Sequence, residues 1–245
     1  MSEIIIPDWP APENVRALVT TRNGGASVGP FTSFNLADHV EDDPQAVATN
    51  RRLLRQHVPE LPADPLWLKQ VHGIDCVSAE NCTVGMEADA SWSRTKGKVC
   101  AVLTADCLPL LLCDEAGSVV SAVHAGWQGL AKGVIEAAVK TLPVPPQTLL
   151  AWMGPAIGPN AFEVGAEVRD QFFLHDPEAS KAFRSIRNGK WLCDIYLLAR
   201  QRLNVLGVTR IYGGGECTVT DAARFFSFRR DRVTGRMASL IWLGS

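Results

Sequence analysis

The chain reads as an α+β protein, a single layered domain spanning residues 1–245 with a mixed β-sheet core flanked by helices. Three observations predict this. Strand-like apolar runs and helix-periodic segments are interleaved, without the regular strand–helix–strand rhythm of an all-parallel sheet. No segment repeats at a fixed period, which favours a layered domain. Finally, 245 residues, 47% of them hydrophobic, are enough for one large core.

In chain order, residues 16–21 (RALVTT) read as a strand and 22–27 as a polar, glycine-rich loop. Asp42 or Asp43 caps a helix that begins at Pro44 and runs through Ala46, Val47, Asn50 and Leu54. Its Asn50, Arg51 and Arg52 read as a solvated face. Residues 66–72 (LWLKQVH) read as a strand ended by Gly73, residues 88–92 as a short segment, and 99–130 as two apolar strands followed by a bend. A helix over 130–139 follows, then a stiff proline connector at 142–146, a strand at 148–153 and a rigid loop at 154–159. Helices are expected over 168–174 and 193–206, the second stopped by Gly207. A strand at 209–212 precedes a terminal hairpin, 224–230 with 236–242, turning at Thr234-Gly235.

Charge and composition exclude several functions. A formal net charge of −2 and a pI near 6.2 give no global attraction to nucleic acid or anionic membranes. The arginines of the terminal hairpin lack a nucleic-acid-binding motif around them. The N-terminus has no basic, apolar leader, and no run reaches 18 apolar residues, so a soluble, cytoplasmic protein is expected, as a monomer or small homo-oligomer. Seven cysteines without C-x-x-C spacing imply reduced thiols, with Cys76, Cys82, Cys100, Cys113 and Cys193 structural and unpaired. Dinucleotide, P-loop and α/β-hydrolase glycine motifs are absent from the sequence.

The chemistry concentrates in 99–130. If Asp114, Glu115, Ala116 and Gly117 form a tight turn, Cys107 falls directly opposite His124. Opposed side chains share a face with Cβ atoms about 4.5–5.5 Å apart; a slip of one residue would separate them. Pro109 in the first strand weighs against a simple ladder. Adding His72, at an expected strand end, gives two imidazoles and a thiolate with a fourth position open, the donor set of a catalytic zinc site. Taken singly, the cysteine is equally a core filler and each histidine a hydrogen-bonded structural residue. A metal-free pair with Cys107 as nucleophile and His124 as base is a further reading.

The motifs around these residues extend along the chain: TRNGGAS at 21–27, SFNL at 33–36, NRR at 50–52, QVHG at 70–73, TADCLPLLLCD at 104–114, HAGW at 124–127, GPAIGP at 154–159, FEVG at 162–165, FFSFRR at 225–230 and TGRMAS at 234–239. In these the chain closely resembles the laccase-domain, or polyphenol-oxidase-like, family, which includes bacterial purine nucleoside phosphorylases and the peptidoglycan editing factor. The resemblance implies zinc held by His72, Cys107 and His124, with copper as the alternative ion. It also implies Arg51 and Asn35 as phosphate or substrate contacts. Family members commonly carry Arg after HAGW, where this chain has Gln128. A genuine laccase is rejected, since a multicopper oxidase needs about ten histidines and this chain has five, with no His-x-His pair. The implied substrates are purine nucleosides: phosphorolysis of adenosine, inosine or methylthioadenosine, and deamination of adenosine by activated water. The alternatives are a zinc amidase removing misincorporated L-serine from a UDP-MurNAc precursor, a Cys107/His124 hydrolase, and a non-enzymatic binding module.

Overall fold

In the computed structural model, which describes residues 3–244, alternation along the strands builds a four-layer stack. One sheet has four strands in the order β1 (Ile4–Ile5), β2 (Val15–Thr20), β13 (Met237–Leu243), β5 (Val99–Thr104), all antiparallel. The other has six, in the order β12 (Arg210–Gly213), β8 (Leu149–Met153), β6 (Leu108–Asp114), β7 (Val120–Ala125), β4 (Ala90–Ser93), β3 (Cys76–Ser78). Its outermost pairs at each end are parallel and the inner ones antiparallel, so the sheet is mixed, as expected.

Successive side chains of a strand face opposite ways, and the core divides accordingly. Leu111, Cys113, Val120, Ala122 and Trp152 meet Val19, Cys100, Val102 and Ile241 between the sheets. Leu110, Leu112 and Val123 face the helical layer: α2 (Trp127–Lys132), α3 (Val134–Thr141), α4 (Ala166–Phe173) and α5 (Ile195–Val205). The outer face of the four-stranded sheet is covered by α1 (Pro44–His57) and the Phe34 and Leu36 loop. A small third sheet, β10 (Phe183–Ser185), β11 (Trp191–Cys193), β9 (Glu163–Val164), lies beside α4, and a short α6 (Phe228–Asp231) precedes β13. Asp43 caps α1 through Gln45 N, and Gly207 follows α5 with φ +86°, both as expected. The first two residues and the last of the expected 1–245 domain lie outside the described residues.

Several expectations are corrected. The stretch 99–130 holds three strands, because the chain leaves one sheet after Thr104 and enters the other at Leu108. The hairpin pairs Pro109, not Cys107, with His124. The Asp114 carboxylate accepts from the N–H groups of Ser118 (2.6 Å) and Val119 (2.9 Å), which lengthens the loop by two residues. A shift of two preserves the face, so Cys107 and His124 stay on the same side. Pro109 is tolerated because His124 N donates to Asp89 O instead (2.7 Å), and the Gly154 carbonyl beside Pro109 takes the Tyr196 hydroxyl (3.1 Å).

Residues 66–72 form no strand. Their backbone bonds alternate between two segments, Leu66 with Val99 and Lys69 with Met86, leaving only isolated bridges. The helix expected over 130–139 starts earlier and is split at Gly133, whose φ of +102° lets its N–H close α2 while its carbonyl opens α3. Cys193 belongs to β11, since the Asp194 side chain starts α5 by accepting from Leu197 N. The terminal hairpin is absent. Arg229 N is drawn to the Asp106 carboxylate (2.6 Å), and Ser227 caps α6 there.

Candidate metal centre

The crossing between the sheets, Ala105, Asp106 and Cys107, is the base of the site. Asp106 adopts φ +88°, a conformation that needs fixing by its surroundings in a residue other than glycine. Its carboxylate accepts from Thr218 Oγ1 (2.6 Å) and Arg229 N (2.6 Å), and its carbonyl from Ile157 N (2.9 Å). This anchored bend presents the half-buried Cys107.

His124 comes from the interior of β7 with its side chain 3% exposed. His72 comes from a loop, at φ +57°. The three donor atoms lie within 4.8 Å of one another. Cys107 Sγ is 3.8 Å from His72 Nε2, and the imidazoles meet edge to face with centroids 4.8 Å apart. Glycine is required next to them. A Cβ on Gly126 would stand 2.9 Å from both Cys107 Sγ and His72 Cδ2, and one on Gly129 would stand 2.8 Å from Gly73 O.

One residue that sequence reading missed is Asp89. It is fully buried, and its carboxylate bonds His124 Nδ1 at 2.7 Å and the N–H groups of Val71, His72 and Gly73 at 3.2, 3.0 and 2.6 Å. The one signal was a lone acid between Ala88 and Ala90. Burial opposes charge at Cys107, His124 and Asp89, but their mutual attraction outweighs it. The imidazoles, His124 foremost, bring the Cys107 thiol down to about 6. Cys107 and Asp89 raise His124 to about 9. The hydrogen bond from His124 lowers Asp89. A thiolate and two imidazoles suit a borderline-soft ion such as zinc.

Two hollows flank the His72–Cys107 pair. One, of about 280 Å³, is mainly apolar, lined by Trp127, Ile157, Phe162, Ile195 and Phe228 together with Arg229 and Arg232. The other, of about 290 Å³, is more polar, with His39, Gln70, Thr104, His124 and Arg236. Phe228 belongs to both. Arg236 spends Nη1 on the carbonyls of Thr234 and Gly235, which orients its guanidinium.

The structure does not bring Arg51 to the site. Its guanidinium stacks on Trp67 (4.7 Å), donates to Leu36 O (3.0 Å) and pairs with Asp38 (3.3 Å), beside a different cavity. Asn35 is fully buried and saturated: Nδ2 donates to Ala37 O and Asp42, and Oδ1 accepts from Ala37 N and Arg236 N. It therefore reaches the polar hollow only through the backbone of Arg236. Gln128 is exposed on α2. All seven cysteines are unpaired, with Cys100, Cys113 and Cys193 buried. Among the described residues no helix is long and apolar enough to cross a membrane.

Comparison with known proteins gives a consistent result. Residues 16–244 match the family described as multi-copper polyphenol oxidoreductase laccase. The chain is 55% identical, over 99% of both proteins, to purine nucleoside phosphorylase PA4543 of Pseudomonas aeruginosa. It is 52% identical, over 99% of this chain and all of the relative, to purine nucleoside phosphorylase YfiH of Escherichia coli K12. The crystal structure of Neisseria meningitidis protein NMB0706 superposes with a TM-score of 0.94 at 50% identity, covering 99% of each chain.

Proposed function

The chain belongs to the multi-copper polyphenol oxidoreductase laccase family, and from that premise and the geometry of the site we propose that it is a purine nucleoside phosphorylase working at a metal held by His72, Cys107 and His124. The observation that carries this reading is that His72 and Cys107 line two adjoining hollows at once, one walled by aromatic side chains and the other reached by His124 and Arg236. The family description names a multi-copper oxidoreductase. One three-donor cluster among the described residues and five histidines in the chain provide for one ion, not for the several copper centres of an oxidase.

The substrate's two ends sort themselves between the hollows. A purine is flat, and its π faces gain from stacking and burial against Trp127, Phe162 and Phe228. Phosphate needs a cation, and Arg236 supplies a guanidinium whose plane is already fixed. A phosphate oxygen attacks the ribose C1′ as the C1′–N9 bond breaks, giving ribose 1-phosphate and the free base. Zinc, or copper as the alternative, would supply a Lewis acid at the junction of the two hollows when bound. Water in place of phosphate, directed at purine C6, would form a C6–O bond and displace the 6-amino group as ammonia, converting adenosine to inosine. Burial and the neighbouring Arg236 lower His39 against the opposing pull of Asp38.

The test is a product screen on protein of known zinc content. Inosine with inorganic phosphate should give hypoxanthine and ribose 1-phosphate in equal amounts, and adenosine should give adenine together with some inosine. Serine released from a UDP-MurNAc-L-serine precursor, with nucleosides untouched, would instead establish the amidase reading. Undiminished turnover after removal of all metal, lost in Cys107→Ala, would establish a cysteine hydrolase.

A further inference from the structure

Asp89 stands apart from the groups assigned above. It offers nothing to either hollow and does not belong to the three-donor cluster, yet it is wholly buried between the two segments that carry the histidines. A buried carboxylate persists only when its oxygens are satisfied, and here both are. Oδ1 takes His124 Nδ1 and His72 N; Oδ2 takes Val71 N and Gly73 N. The Asp89 backbone adds to this, its carbonyl accepting His124 N at 2.7 Å and its N–H donating to Asp75 O at 3.0 Å.

We infer that Asp89 is the positioning residue of the whole centre: one carboxylate fixes the ring of His124 and the left-handed backbone of His72 together, so that the site is assembled before an ion arrives. Holding the proton on Nδ1 of His124 leaves Nε2 as the ring atom for a metal. Gathering three successive N–H groups onto one acceptor holds the 71–73 loop in the turn that brings His72 Nε2 to Cys107. An amide cannot replace it. All four partners are donors, so an asparagine in either orientation sets its own N–H₂ against two of them. The inference rests on the metal reading above for its consequence, not for its geometry.

Zinc binding to wild-type and Asp89→Asn protein, measured by competition with a chromogenic chelator, tests the consequence. Loss of this oriented contact should weaken zinc binding by roughly ten- to a hundredfold, with thermal unfolding confirming that the variant is folded. Equal affinity in a folded variant overturns the inference. The geometry is tested in metal-free wild-type protein, where failure of the variant to fold does not matter. Long-range nitrogen–proton spectra should place a proton on His124 Nδ1, and the amides of Val71, His72 and Gly73 should exchange slowly. A proton on Nε2 alone, or three amides exchanging at open-loop rates, overturns it as well. Absence of zinc binding in the wild type removes the metal reading of the function and leaves these spectra to decide the role of Asp89.

Discussion

His124 and His72 approach the same space from opposite kinds of backbone. His124 sits in a buried strand, its N–H donated to Asp89 O and its side chain 3% exposed. His72 sits on a loop at φ +57°, partly exposed, in a conformation that costs about 1–2 kcal/mol for a residue with a Cβ. The first is placed by the fold and contributes to it. The second is placed against local preference, by a carboxylate 17 residues away in sequence. The centre thus joins a rigid half to a half held by one acceptor.

The largest effect that can break this contrast is on stability. His124→Ala should destabilise metal-free protein by about 3 kcal/mol in urea titration, because it opens a cavity and removes the charged partner of a buried acid. His72→Gly should leave stability within about 1 kcal/mol, the relieved backbone offsetting the greater freedom of glycine when unfolded. Both should abolish stoichiometric zinc binding. Similar losses of stability in the two variants would contradict the division.

The same difference explains what the sequence disclosed. His124, β6 and β7 are legible because both strands are continuous apolar runs, buried along their whole length, and because side chains alternate in direction, so that a two-residue error in register leaves faces intact. Arg236 and Asp89 were missed because their roles depend on contacts across the fold: Arg236 N on Asn35 Oδ1, and Asp89 on a loop that is not a strand. Arg51 was drawn to the site by resemblance alone, whereas Trp67 and Asp38 hold it elsewhere. The strand expected at 66–72 failed because its apolar residues suit a ladder but its backbone partners come from two separate segments.

A pair of arginine variants sharpens the assignment of the hollows. Arg236→Ala should raise the KM for phosphate roughly 30-fold, the equivalent of about 2 kcal/mol for hydrogen bonds to a charged ligand. Arg51→Ala should change it less than about twofold while lowering stability by about 1 kcal/mol, through loss of its contact with Trp67. The reverse ranking, read from initial rates at varied phosphate, would return Arg51 to the site.

The smallest effect concerns the edge of the six-stranded sheet. Glu80 accepts from the Ser78 and Ser93 hydroxyls and from Arg94 N. Although burial opposes its charge, these bonds lower it to about 2. Its folded value lies below its unfolded one, so its contribution to stability is complete above about 4.5 and disappears as pH falls toward about 2. Glu80→Gln should flatten the acid limb of the stability profile across that window, with the zinc affinity at pH 7 unchanged.

The most direct measurement of the central claim is a zinc titration of metal-free protein, with hypoxanthine release from inosine followed in the presence and absence of inorganic phosphate. Activity should rise linearly to a sharp plateau at one ion per chain, require phosphate, and yield one ribose 1-phosphate per hypoxanthine. Full activity without added metal, a plateau at several ions per chain, or free ribose as the product would contradict it.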